Sequence, residues 1–508
     1  MPALLGAVLF SACTGQPTPS PTPSPTPATA KGWVTTGDGS KLLADLKVTL
    51  TAGLGAAGSG SSGAATSAAS DITVDTRTDY QTMDGFGAAL THSSAEVLMQ
   101  LPQARRTEVM TELFDPNGPV RIQLLRIAIG ASDFVPSQAF TLDDVPSGET
   151  DWDLQNFSIA PDEVALLPLL RQAVQINPEL KIIASPWSPP AWLKTSGSLE
   201  GGALLDEQQA YETYSQYFIK FVQAYQDAGV NIWSLTVQNE PQLRYPDGYP
   251  GTDMPVFQEA HLIETLGPAL DVAGLSTGIM GYDHNWQLNP SDAAATPEGQ
   301  DPAYEYPADL LQTPAAQWLI GTAFHCYYGS ASAQSDLHDR FPDKGIWLTE
   351  CSGSHGADDS QERVFADTLD WQSRNLLIPA TRNWAKGVQT FNLALDPDGG
   401  PHVGGCDTCT PVVTVNSDGS IYRNAEYYLL AQAGQFVHPG AVRLGSDAHD
   451  GSPLENVAFR NPDGSFALIV YNTSDEAVKF TVGADGAQLS VKAPGKALLT
   501  LVWNVPGE

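Results

Sequence analysis

Basic side chains are scarce in this chain: 25 Lys and Arg face 58 Asp and Glu across 508 residues, and the formal net charge is −33. That balance repels phosphate backbones and anionic membrane surfaces, so nucleic acid is excluded as a partner and a neutral ligand fits better. As a surface property it speaks to solubility and names no substrate. Long apolar runs are also missing. No later stretch reaches the roughly 18 unbroken apolar residues of a spanning helix, and the opening run is too short to cross a bilayer. Cysteine is sparse: Cys13, Cys326, Cys351, Cys406 and Cys409 are the whole set. The last four form an even number, which suits an oxidising compartment. Cys406-Asp-Thr-Cys409 has no second CxxC and no nearby histidine set, so a small loop disulfide is expected there and a zinc site is not. Charged residues, at 16%, fall below the roughly 25% of an average globular chain, while 42% apolar residues suffice for a sizeable core.

What is present begins with Met1-Pro-Ala-Leu-Leu-Gly-Ala-Val-Leu-Phe-Ser-Ala-Cys13. This run is similar to a bacterial lipoprotein signal, in which the cysteine becomes the lipidated N-terminus, although Phe10 fits poorly and a basic start is missing. Cys13 is therefore the candidate lipidation site and membrane tether, with plain secretion as the other reading; either puts the protein outside the cell or on its surface. Residues 14–30 hold Pro-Thr-Pro-Ser-Pro-Thr-Pro-Ser-Pro-Thr-Pro, an extended spacer that rises about 3.1 Å per residue. Residues 52–70 are almost all Gly, Ala and Ser, a flexible loop between strand-like pieces at Trp33 to Thr36 and Ile72 to Asp75.

From Gly85 to about Leu395, short apolar strands alternate with amphipathic helical stretches, the signature of parallel βα units. Strands are expected to begin near Gly85, Ile122, Lys181, Ile232, Thr277, Gly321, Gly345 and Gly387, and eight is the number that closes a β/α barrel. Asp206 to Ala228 carries Tyr214, Phe218, Phe221, Val222 and Tyr225 as a helical stripe that Gly229 ends. From about Val412 the pattern turns to short strands such as Phe466 to Tyr471 and Ala497 to Val502, separated by turn signals. The expected fold is α/β: a (β/α)8 TIM barrel over residues 79–410, with an attached β-sandwich built by N-terminal strands in 31–78 and C-terminal strands in 411–508.

In such a barrel the active site sits at the carboxyl ends of the strands. Two acids stand there: Ile232-Trp-Ser-Leu-Thr-Val-Gln238 runs into Asn239-Glu240-Pro241, and Ile346-Trp-Leu-Thr349 ends in Glu350. A lone strand-end Glu more often caps a helix or pairs with an arginine. Two in register with a barrel fit glycoside hydrolysis, in which one carboxyl protonates the leaving oxygen and the other attacks or stabilises the sugar carbon. Asn239 can hydrogen-bond a sugar 2-hydroxyl beside the acid.

These residues lie within seven ordered motifs: Gln81-Thr-Met-Asp-Gly-Phe-Gly-Ala88, Leu125 to Phe134, Ala184-Ser-Pro-Trp-Ser-Pro-Pro-Ala-Trp-Leu-Lys194, Thr236-Val-Gln-Asn-Glu-Pro241, Phe324-His-Cys-Tyr327, Trp347-Leu-Thr-Glu350 and Asn392-Leu-Ala-Leu395. Together, across Trp33 to Val502, they resemble glycoside hydrolase family 30, which contains glucosylceramidases and endo-β-1,6-glucanases. The resemblance implies a retaining mechanism with no metal and no cofactor, Glu240 as acid/base and Glu350 as nucleophile. It places Arg126, Asp133, Trp187, Asn239, His325 and Tyr327 around the sugar; Tyr327 and Arg126 would hold Glu350 ionised. Two departures from the glucosylceramidases stand at the entrance: Phe391 where they carry Trp, and the loop Asp396 to Cys409.

The implied partner is a carbohydrate or glycolipid, with β-glucosides of the glucosylceramidase or β-1,6-glucan kind foremost and a monomer as the default state. A β-xylosidase-like glycanase of the same family is the other enzymatic reading. A non-catalytic carbohydrate-binding surface protein is the third, opposed by the presence of both Glu240 and Glu350. The sandwich shows no aromatic row and is expected to be a scaffold.

Overall fold

The computed structural model describes residues 29–52, 71–244 and 248–504. Cys13, the signal run, nearly all of the proline-rich spacer and most of the Gly/Ala/Ser stretch lie outside the described residues. Eight parallel strands close a barrel: β1 (Gly85–Ala89), β2 (Leu124–Ala128), β3 (Lys181–Ser185), β4 (Ser234–Thr236), β5 (Gly278–Asn285), β6 (Leu319–His325), β7 (Gly345–Glu350) and β8 (Ala385–Thr390). Every expected start falls within about two residues of an observed one. The expected fourth strand, read through Gln238, is hydrogen-bonded as strand only over Ser234–Thr236; beyond it the chain bends toward the site.

Inside the barrel, Ile183, Met280, Ala323 and Trp347 from four strands fill the lumen, so the centre is packed and the rim alone is free to bind. Outside it, Gln208–Asp227 forms a helix whose stripe is buried, and Gly229, at φ +84°, supplies the left-handed residue that stops it.

A ten-stranded sheet curls around its own core of Phe466, Phe480, Leu499, Trp503 and their neighbours to make the sandwich. The N-terminal strand Thr29–Thr36 pairs antiparallel with the last strand Ala497–Asn504, and Ile72–Thr82 pairs with Val442–Ala448. Two boundaries differ from expectation. Thr29 and Ala30, assigned to the spacer, pair with Asn504 and Trp503. The C-terminal sandwich strands start at Val442 rather than near Val412, because Val413–Val415 and Ile421–Arg423 form a small sheet of their own with Ala394–Leu395 and Ala425–Gly434 is a helix. That helix is buried on nearly every side and so lacks the one-sided stripe that marks a surface helix. It sits between the two units: Gln123 donates to the Gly434 carbonyl (2.9 Å) on the barrel side, and Thr500 donates to the Gln432 carbonyl (2.6 Å) on the sandwich side.

Candidate active site

Every strand-end residue singled out in the sequence arrives at one end of the barrel. Arg126 lies on β2 with Asp133 just past it, Trp187 follows β3, Asn239 and Glu240 follow β4, His325 ends β6 with Tyr327 beyond, Glu350 ends β7 and Phe391 follows β8. A cavity of about 530 Å³ opens there, with Asp133, Trp187, Glu240, Tyr327, Glu350 and Phe391 in its wall.

The two glutamates converge. Glu240, His325 and Glu350 each bring an acidic oxygen or ring nitrogen to within 4.8 Å of the other two. Carboxyl groups about 5 to 5.5 Å apart suit covalent attack with retention, whereas inverting pairs stand about 6.5 to 9.5 Å apart to leave room for water. Glu350 accepts hydrogen bonds from the Arg126 guanidinium and from the Tyr327 hydroxyl, the latter at 3.0 Å. Glu240 meets His325 Nδ1 at 3.0 Å.

Behind them stands a residue that sequence reasoning missed. Asp283, wholly buried on β5, accepts from Arg126 (2.8 Å), Ser185 (2.8 Å), Thr236 (2.8 Å) and Thr349 (2.7 Å), and it meets His325 Nε2 at 3.1 Å. Its backbone carbonyl also accepts from the Glu240 N–H at 3.0 Å. Arg126 and His325 thus connect one buried carboxylate to both glutamates. Glu240, Tyr282 and Asp283 hold φ of 49°, 76° and 55°, left-handed conformations that side chains avoid unless their surroundings impose them. The signal in the sequence was the apolar strand ending Asp283-His-Asn285, a third strand-end acid. His284, also missed, lies 3.9 Å from Glu240, and burial pushes its imidazole down to about 4, so it is neutral.

The electrostatics follow from burial working against neighbouring charge. Burial lowers His325, but the Glu350 and Asp283 carboxylates outweigh it and raise it to about 9. Burial raises Glu240, and the His325 hydrogen bond with the cationic charge around it more than reverses this. These opposed shifts put the resting proton on His325 and leave Glu240 a carboxylate, an ion pair across which the proton must move to Glu240 before Glu240 can act as an acid. Glu350 is raised by burial, with His325 and Arg126 pulling the other way and the Glu240 charge adding to the rise. Once the shared proton sits on Glu240 that repulsion is gone, and the negative charge of the pair rests on Glu350, which alone of the two touches a guanidinium.

Two sequence expectations change. His325 was expected to touch sugar, yet it is fully buried with both ring nitrogens on carboxylates. Arg126, likewise fully buried, stacks under Trp187 at 4.8 Å; it holds the Glu350 carboxylate as expected, and its burial leaves no exposed surface for the place around the sugar also expected of it. Asn239 accepts from Arg126 at 2.7 Å through Oδ1, which leaves its amide nitrogen for a ligand. Phe391 stacks on Trp187 with centroids 6.2 Å apart and closes the wall with an apolar surface. The loop Asp396 to Cys409 covers Asp133: Val403 donates to the Asp133 carbonyl (2.7 Å), and a Cβ on Gly405 would stand 2.2 Å from Asp133 Oδ2, so only glycine fits. Under this loop, burial and the Glu350 charge push Asp133 up to about 8. Cys406 and Cys409 are joined in the same loop, and a second disulfide, Cys326–Cys351, ties the ends of β6 and β7.

Known proteins share this architecture. The Glycosyl hydrolase family 30 TIM-barrel domain matches residues 83–437, and the Glycosyl hydrolase family 30 beta sandwich domain matches residues 440–501. An endo-1,6-β-D-glucanase of Aspergillus fumigatus is 33% identical over 451 residues, 84% of this chain and 85% of that protein. The lysosomal acid glucosylceramidase of Mus musculus is 28% identical over 447 residues, 85% of this chain and 83% of that protein. A solved structure of an endo-β1,6-glucanase superposes with TM-score 0.80 at 29% identity, covering 94% of this chain and 99% of that one. With both of the family's domains matched in order over a barrel whose rim gathers two facing glutamates, the chain belongs to glycosyl hydrolase family 30 and is a retaining glycoside hydrolase.

Proposed function

We propose that this enzyme is an exported endo-β-1,6-glucanase in which Glu240 is the acid/base and Glu350 the nucleophile. The observation that carries the catalytic roles is the convergence of the two carboxylates within 4.8 Å, with different partners. Glu350, held by Arg126 and Tyr327, attacks the anomeric carbon as Glu240 passes the shared proton to the departing glycosidic oxygen. His325 is left neutral toward Glu240 and bonded to Asp283. A water then enters; Glu240, now a carboxylate, takes its proton, and the hydroxide displaces Glu350 from the same face that the leaving group vacated. Asn239, Asp133 and Trp187 are the sugar contacts: an amide donor, a carboxyl group and an apolar ring face.

The substrate is inferred from kinship: identity is higher to the fungal glucanase than to the mouse glucosylceramidase. Export is supported by two disulfides, which persist in oxidising compartments. The test is to incubate the protein separately with linear β-1,6-glucan, glucosylceramide in detergent and an aryl β-glucoside, and to follow released sugars. Short oligosaccharides from the glucan, with ceramide untouched, are expected. Glucose from glucosylceramide with the glucan untouched would assign it to the glucosylceramidases instead.

A further inference from the structure

A second cavity among the described residues is larger than the catalytic one. A space of about 890 Å³ lies at the junction of barrel and sandwich, and it shares Tyr327, Ser352, Gly353 and Ser354 with the catalytic cavity. The two are neighbours across one wall, the segment after β7 that begins at the nucleophile candidate Glu350. A ligand chain that leaves the catalytic cavity past Tyr327 therefore enters the junction.

The junction is built rather than incidental. On the barrel side the helix Gln361–Gln372 presents Asp367 and Trp371, and on the sandwich side Asp38, Asp475 and Lys496 close it. The two sides are bonded to each other: the Tyr471 hydroxyl donates to Asp370 Oδ1 at 2.8 Å, and Lys496 Nζ reaches the same oxygen at 3.3 Å. Gly37 and Lys496 are joined through the backbone at 2.8 Å. These contacts fix the two walls relative to each other, which lowers the cost of ordering the cavity on binding.

Its chemistry selects a class of ligand. Trp371 leaves 39% of its surface exposed, an indole placed where a pyranose ring could lie against its face. Around it stand Asp38, Asp367 and Asp475, which accept hydrogen bonds from hydroxyls and repel anions, while the amine of Lys496 is committed to Asp370. A neutral sugar chain satisfies this lining; a uronate or sulfated chain does not.

We propose that the junction cavity binds the sugars of a neutral β-glucan that extend beyond the catalytic cavity, with Trp371 as the stacking platform and the sandwich as one wall. The inference rests on the glucanase reading. It gives the sandwich a share in substrate binding, where the sequence suggested only a scaffold. Binding energy gathered there, remote from the cleaved bond, raises turnover of long chains over short ones.

The test measures kcat/KM on an aryl β-glucoside and on β-1,6-linked gluco-oligosaccharides of increasing length, for the unaltered enzyme, Trp371→Ala, Trp371→Phe and Asp475→Arg, the last crowding the cavity from the sandwich side. The unaltered enzyme is expected to gain with length. Trp371→Ala should lose about tenfold on the longest chains, the worth of one aromatic contact, and keep its aryl glucoside activity, which also reports correct folding. Trp371→Phe should retain most of the gain, and Asp475→Arg should lose it. A length dependence that persists unchanged in both Trp371→Ala and Asp475→Arg would overturn the junction site and leave the glucanase reading standing. If the unaltered enzyme cleaves the aryl glucoside and no β-1,6-linked chain, the glucanase reading falls and the junction site with it.

Discussion

His325 Nδ1 stands 3.0 Å from Glu240 Oε1, and the other nitrogen of the same ring faces the buried carboxylate of Asp283 at 3.1 Å. A histidine fixed between two acids holds a proton where an acid catalyst needs one. This relationship sets the first prediction. His325 is raised to about 9, above its ordinary 6.5, so the Glu240–His325 unit keeps its proton through neutral pH and loses it as pH rises toward about 9. Activity is expected to fall on that alkaline limb. The contribution of this cation to stability has the same sign: whole below 6.5 and lost as pH rises through about 9. Asp283→Asn removes one of the charges that raise His325, so the alkaline limb of kcat should move to lower pH. An unmoved limb would separate His325 from the acid step.

For Glu240 the expectation depends on the leaving group. Glu240→Ala should cost about 10² to 10⁴ in kcat/KM on natural glycosides, which need protonation, and much less on aryl glycosides with acidic phenols. Equal losses on both would make Glu240 a binding residue.

Arg126 is enclosed, and it pairs with two buried carboxylates. Arg126→Met leaves the buried Glu350 carboxylate with no cation in contact and Asp283 with His325 alone, which is expected to cost about 3 to 5 kcal/mol of stability, seen as a lower thermal midpoint, together with most of the turnover. A variant as stable and active as the parent would contradict the assignment of Arg126 as the carboxylate clamp.

The Cys326–Cys351 bridge closes a loop with a sequence separation of 25 and flanks both Tyr327 and Glu350. Replacing both cysteines by alanine should cost about 3 kcal/mol, and a reducing agent should shift the parent's thermal midpoint in the same direction. If neither treatment moves the midpoint, the bridge does not form in solution.

Much of this was legible because a barrel writes its chemistry at strand ends. Glu240 and Glu350 each follow an apolar strand, and the alternation of strands and helices along the chain places them on one rim. What stayed hidden depends on three-dimensional enclosure. Asp283 ends a strand just as they do, but its role comes from partners 98, 47 and 66 residues away, namely Ser185, Thr236 and Thr349. His325 looked like a sugar contact because its neighbour Tyr327 lines the cavity, and only the fold shows the imidazole turned inward. The helix Ala425–Gly434 escaped because burial between two units erases amphipathic periodicity. The pairing of Cys326 with Cys351 needed the adjacency of β6 and β7, which spacing alone does not supply.

The central claim is that Glu350 becomes covalently joined to the sugar. The direct measurement is mass spectrometry of the protein after incubation with an activated 2-deoxy-2-fluoro-β-glucoside, whose fluorine slows the second step more than the leaving group allows the first to slow. A glycosyl adduct on the peptide that contains Glu350, absent in Glu350→Gln, is the predicted result; an adduct on Glu240, or turnover with no adduct and inverted product, would contradict it.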